Sequence, residues 1–228
     1  MDSLAQFLLI APVLLFSMVA HEYAHGWVAM KNGDPTAYQL GRLTWNPLKH
    51  IDPFMTILLP IFLFIAHAPI LGGAKPIPVN PRNYRNFKKG DIAVSLAGIV
   101  TNLILAVVFA ILIPLLYFPG TAFPRVAQAC ALLQQMCVFG IWINLILAAF
   151  NLLPIPPLDG SHVFKYVLPP AWALSYERIS RFGLLIIYAL LFLGGPLLMW
   201  WLYPAIVGNQ FLCSVSRGFA LPGVRCLM

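Results

Sequence analysis

The residues best equipped for chemistry are His21, Glu22 and His25, which read His-Glu-Tyr-Ala-His inside the first apolar run. On a helix, positions i and i+4 are neighbours, so the two imidazoles share a face. Two neutral histidines supply two bonds to zinc, and a catalytic zinc takes a third protein ligand while keeping one position for water. Glu22 projects beside that water, as a base toward it and later as an acid toward a leaving amine. The duller reading is a chance string. Against it stands the cost of ionisable groups on an apolar helix.

A third ligand has few sources, because the chain has only seven acidic residues. Of these, Asp159 closes an uncharged run of 33 residues, Val126 to Leu158. It is the natural third ligand of a single Zn2+; alternatively it caps a following helix opened by Gly160-Ser161, or does both. Asn151 lies eight residues earlier, across Pro154, Pro156 and Pro157, which cannot continue a helix. The kink exposes backbone groups able to pair with an unwound peptide as an added strand. Asn151 either steadies a carbonyl or oxyanion there, or caps the broken helix end. His162 is a candidate partner for Asp159 behind the metal. His50 and His67 read as packing or interfacial residues.

These groups need elements to position them, and composition says which. The chain has 228 residues, is 61% hydrophobic and only 9% charged, where a soluble domain has about a quarter charged. Several uncharged stretches exceed the roughly 20 residues that cross a bilayer as a helix. The expected fold is an all-α polytopic membrane protein. About four full transmembrane helices and one re-entrant or broken segment surround a buried metal site. The expected organisation is one membrane-embedded domain over residues 1–228, with a core over 4–160 and a final span and tail over 176–228. The net charge of +7 sits in short loops, so nucleic acid is not an expected partner. The amino-terminal run lacks a basic region and a cleavage motif, so it is expected to remain in the mature protein. Cys130 and Cys137 read as packing residues, and Cys213 and Cys226 can pair if the tail meets an oxidising compartment.

Topology follows from one requirement. If His21, His25 and Asp159 share a metal, the carboxy ends of the first run and of Val126–Leu158 lie on one side. A full crossing by Pro53–Ala74 would separate them, whereas a dip and return keeps them together. Pro60, Pro69 and Gly72-Gly73 suit a broken element of that kind. One face then collects 11 of the 14 basic residues: the eight between Lys31 and Lys89, with Lys165, Arg178 and Arg181. Arg125, Arg217 and Arg225 stay on the other, so the first face is cytoplasmic and the chain is a multi-pass cell-membrane protein. Met30 is nine residues beyond His21, which sets the histidine about 13 Å below the helix end. Lys75 to Arg85 can form a cytoplasmic edge over the site, and Trp200, Trp201 and Tyr203 an aromatic belt.

The stretch His-Glu-Tyr-Ala-His-Gly, with Asn151-Leu-Leu-Pro-Ile-Pro-Pro-Leu-Asp159-Gly, resembles the site-2 protease family of intramembrane zinc metalloproteases, peptidase family M50. Gly-Gly-Ala-Lys-Pro-Ile-Pro-Val-Asn-Pro-Arg-Asn (72–83) and Leu-Ala-Gly-Ile-Val-Thr-Asn (96–102) are similar to segments of its compact members, which lack PDZ and CBS modules. The resemblance covers most of the chain from His21 to Gly160 and departs at Ile99, where proline is common. It implies zinc ligands at His21, His25 and Asp159, a catalytic Glu22, and substrate or oxyanion contacts from Asn102 and Asn151. It also implies cleavage of transmembrane protein substrates that enter laterally from the bilayer. Two other classes are compatible with the residues: a membrane transporter, and a metal-binding membrane scaffold without proteolytic activity.

Overall fold

A computed structural model describes residues 3–65 and 72–226. His67 lies outside the described residues. Among the described residues the regular structure is helical, with no strand. Inter-residue contacts divide the chain into two compact units: Met1–Ser17, Val100–Ala149 and Leu202–Met228 form one, and Met18–Ile99 with Phe150–Trp201 form the other.

The first helix, α1 (Ser3–Lys31), carries the uncharged run straight through His21–His25. It stops where Gly33, at φ 107°, reverses the chain. There the Gly33 N–H donates to Met30 and the Asp34 N–H to Ala29, the paired bonds of a glycine-terminated helix. After a short α2 (Thr36–Gln39) the chain reaches Asp52, whose carboxylate caps the N–H groups of Phe54 and Met55. A π-helical turn over Pro53–Leu58 leads into α3 (Leu59–Ile65).

That segment returns to where it began. The Gly73 N–H donates to Met55 O at 3.2 Å, Thr56 Oγ1 donates to Gly73 O at 2.6 Å, and the Lys75 N–H donates to His50 O at 2.7 Å. Its described helical part, Pro53 to Ile65, is also shorter than a bilayer crossing needs. These bonds bring the two described ends of the segment together, an arrangement compatible with the expected re-entrant or broken element.

Among the described residues three helices are long and apolar enough to cross a membrane: α1, α4 (Phe87–Ala122) and α5 (Pro124–Asn151). Asn86 opens α4 by accepting from the Lys89 N–H, and α4 runs on through Pro114 and Pro119. A proline in a long membrane helix forfeits one ladder bond among many and need not end it. The chain then makes α6 (Asp159–Phe164), α7 (Pro170–Ile179), α8 (Gly183–Leu193) and α9 (Gly195–Ser216). The final span expected within 176–228 is two helical stretches bent by 93°. Gly194-Gly195 offers no side-chain packing, and Pro196 has no N–H for the Phe192 carbonyl, so the ladder breaks there. With that pair counted as one crossing the described residues offer up to four spans, as in a multi-pass membrane protein.

The unit containing residues 100–149 is held by a cluster of Ile113, Cys137, Val138, Ile141 and Cys213. Buried amides add direction: Asn144 donates to Ser17 Oγ at 2.8 Å. Gln134 donates to Ile113 O and Phe219 O and accepts from the Leu221 N–H. Gln135 pairs with both backbone groups of Arg225, and Cys213 is bonded to Cys226. The tail is therefore an ordered part of that unit.

Candidate metal centre

The centre lies within the unit of residues 18–99 and 150–201. His21 and His25 stand one turn apart on α1, their rings edge-on at 80° with Nε2 atoms 3.0 Å apart. Asp159, in the first turn of α6, brings Oδ2 to 3.2 Å from His21 Nε2 and 3.3 Å from His25 Nε2. Both histidines are buried. Leu158 holds the cap position of α6, so the Asp159 carboxylate serves the histidines and not the helix end.

Neighbouring backbone makes this arrangement possible. The Val94 carbonyl on α4 lies 2.7 Å from His25 Nδ1, which must carry the hydrogen because a carbonyl only accepts. That bond fixes the tautomer and leaves the Nε2 lone pair pointing at His21 and Asp159. Gly98, one turn further along α4, lets its backbone pass against the ring edges. A Cβ there would fall 2.6 Å from His25 Nε2 and closer still to the His21 ring. Gly160 does the same for α6, whose first turn is pressed against the Leu152 and Leu153 carbonyls.

Two imidazole nitrogens and a carboxylate oxygen that meet edge to edge make a ligand set suited to a cation. Zinc bonds of about 2.0 Å at tetrahedral angles hold ligand atoms about 3.3 Å apart. The observed edges of 3.0, 3.2 and 3.3 Å match that spacing. Asp159 Oδ2 is also buried without a hydrogen-bond donor, as an oxygen reserved for a metal would be. The three residues form the one group suited to a metal ion among the described residues.

Glu22 lies beside this group and outside it. Its Oε2 accepts from the Ile77 N–H at 2.8 Å. Ile77 belongs to an extended strip that is pinned along its length. Arg42 donates to the Lys75 and Pro76 carbonyls, and the Arg85 N–H donates to Asn32 O. Asp34 accepts from the Asn80 N–H at 2.6 Å, from Asn83 Nδ2 at 2.8 Å, and from the Thr36 hydroxyl. Burial alone would raise the Asp34 carboxyl, but these hydrogen bonds hold it below the usual carboxylate range.

The remaining candidates fall differently. Asn151 ends α5 in the same unit as the trio, while Asn102 is fully buried in α4 and counts with the other unit. His162 points its Nδ1 at Asp91 Oδ1, 3.5 Å away, and not at Asp159. His50 is buried and donates through Nε2 to the Thr44 carbonyl at 2.9 Å. Sequence reasoning passed over Asp91, Gly98 and Asp34. Asp91 had the signal that revealed Asp159: it opens an uncharged run just as Asp159 closes one.

A helical membrane chain with a largely buried His-His-Asp cluster and a neighbouring glutamate fits the class of membrane metallohydrolases. Comparison with known proteins makes this specific. The model of peptidase family M50 matches residues 9–194. YwhC of Bacillus subtilis (strain 168), named as a zinc metalloprotease, is 40% identical over 190 residues, covering 82% of this chain and 81% of its own. Rip2 of Mycolicibacterium smegmatis, similarly named, is 30% identical over 81% of this chain and 67% of its own. No solved structure matches. The chain belongs to peptidase family M50 and is a zinc metallopeptidase.

Proposed function

We propose that His21, His25 and Asp159 hold one zinc ion, that Glu22 is the general base, and that the enzyme cuts peptide bonds within transmembrane segments of membrane proteins. The observation that carries this reading is the 3.0–3.3 Å triangle made by two histidines of the membrane-length α1 and Asp159 of α6, with Glu22 next in sequence to His21. Zinc bound there would supply Lewis acidity to a water and to the scissile carbonyl.

The chain's own residues do the rest. Val94 orients His25, and Ile77 holds one Glu22 oxygen in place. Glu22 takes the proton from the attacking water and returns it to the departing amine. Asn151 is assigned to the substrate backbone or the developing oxyanion, as the family resemblance implies. A helical substrate hides its peptide groups in internal hydrogen bonds, so it unwinds locally before attack, after lateral entry from the bilayer.

The site opens toward the cytoplasm in this reading. Support comes from the basic residues of Lys31–Lys89 and Lys165–Arg181, which follow the positive-inside rule. Further support comes from the pairing of Cys213 with Cys226, which suits a tail in an oxidising compartment.

The test is Glu22→Gln in detergent or liposomes with a model transmembrane substrate. Zinc content equal to the parent's with cleavage abolished is expected. Zinc loss in Glu22→Gln would mean that Glu22 is structural. Solute flux without cleavage by the parent would favour a transporter, and zinc binding with neither would favour a scaffold.

A further inference from the structure

Asp91 is a buried carboxylate that the proposed chemistry does not use, with 6% of its side chain exposed. It lies in the first turns of α4, and its partners all come from the end of α6 and the residues just after it. Lys165 Nζ is 2.8 Å from Asp91 Oδ2, and the Tyr166 hydroxyl donates to the same oxygen at 2.8 Å. His162 Nδ1 lies 3.5 Å from Oδ1. The Lys165 and Lys88 ammonium groups both stand over the Tyr166 ring, at 5.0 and 5.3 Å.

The element so gripped carries Asp159. A helix of six residues has no stability of its own. Its turns run on only to Val167, and prolines border the stretch on both sides, at Pro156-Pro157 and Pro169-Pro170, so no longer helix supports it. Its orientation must come from outside contacts, and the spacing of these is matched. On α4, Asp91 and Gly98 are seven residues apart, about 10 Å along the axis. On α6 and its extension, Asp159 and Tyr166 are also seven apart. One end of each stretch meets at the histidines, where Gly98 lies against the rings and Asp159 faces them. The other ends meet at Asp91.

We propose that Asp91 is a positioning residue for the third zinc ligand: by holding Lys165 and Tyr166 it fixes the axial register of α6 on α4 and so aims the Asp159 carboxylate at His21 and His25. This rests on the zinc assignment above. A buried ion pair contributes little net stability but is costly to leave half-made, which suits it to setting register.

The experiment measures metal binding in the full-length protein in detergent, by zinc competition against a chelating dye and by the visible spectrum after cobalt substitution. Asp91→Asn is expected to weaken zinc about ten- to a hundred-fold, the range for groups that orient ligands. Its cobalt spectrum should shift toward that of Asp159→Ala, while helicity and elution volume stay at parental values. Adding Lys165→Gln to Asp91→Asn, which restores a neutral hydrogen bond, should recover part of the affinity. Parental affinity and spectrum in Asp91→Asn would overturn the assignment, as would zinc loss only in proportion to lost helicity. A parent chain that binds no zinc would overturn both this and the zinc assignment. Asp91→Asn behaving like the parent overturns the Asp91 role alone.

Discussion

Glu22 Oε2 accepts a 2.8 Å hydrogen bond from the backbone N–H of Ile77, a residue 55 positions further along the chain. A carboxylate beside a metal site can rotate about its side-chain bonds, and a fixed donor on one oxygen leaves the other in a defined place. The donor is held in turn by Arg42 on the preceding carbonyls and by Asp34 on Asn80 and Asn83.

Removing that donor should therefore slow turnover without removing metal. Ile77→Pro deletes the N–H, and Ile77→Val keeps it. Hydrogen bonds to charged groups contribute about 1.5–3 kcal/mol, so kcat should fall about ten- to a hundred-fold in Ile77→Pro, with zinc content unchanged and Ile77→Val close to the parent. Equal rates in the two variants would show that the Ile77 amide does not orient Glu22.

The close approach of α4 to the histidines gives a second prediction. Gly98→Ala places a methyl group where the His21 and His25 rings now lie, so the rings must move apart or α4 must retreat. Zinc per chain, measured by elemental analysis, should drop well below that of the parent while the protein stays helical. Full zinc occupancy in Gly98→Ala would mean that the contact is looser than it is here.

Asp34 links stability to pH. Its folded-state carboxyl lies below the ordinary value, so the unfolded chain binds the proton more tightly. The contribution is complete above the unfolded value of about 4 and is lost as pH falls through the lower folded value. Thermal unfolding should show the parent losing more stability than Asp34→Asn on acidification below about pH 4, with Asp34→Asn the weaker at neutral pH. Parallel pH profiles would remove Asp34 as the source.

The Cys213–Cys226 bond predicts sidedness. In intact cells, a membrane-impermeant maleimide should label these cysteines only after reduction and without permeabilisation. Labelling that requires permeabilisation would place the tail in the cytoplasm and reverse the proposed orientation.

Much of this was legible in the sequence, because membranes enforce simple rules. His21, Glu22 and His25 announce themselves by spacing, and Asp159 by standing at the edge of a long uncharged run. The expected return of Pro53–Ala74 came from the shared metal, which puts the ends of the first run and of Val126–Leu158 on one side, and the bonds between Met55, Thr56 and Gly73 are compatible with it. What stayed hidden depends on contacts between distant residues. His162 was paired with Asp159 because they are near in sequence, yet its neighbour is Asp91 on another helix. The break at Gly194 was missed because an apolar run reads alike whether straight or bent. Pro114 and Pro119 raised the opposite difficulty: they punctuate the sequence but not α4.

The ligand set itself is the centre of the account, and zinc K-edge X-ray absorption on the purified protein reads it directly. One zinc per chain is expected, bound by two imidazole nitrogens and light oxygen donors at about 2.0–2.2 Å with no sulfur, and losing its carboxylate contribution in Asp159→Ala. A zinc–sulfur shell at about 2.3 Å, or a spectrum unchanged by Asp159→Ala, would contradict the assignment of His21, His25 and Asp159.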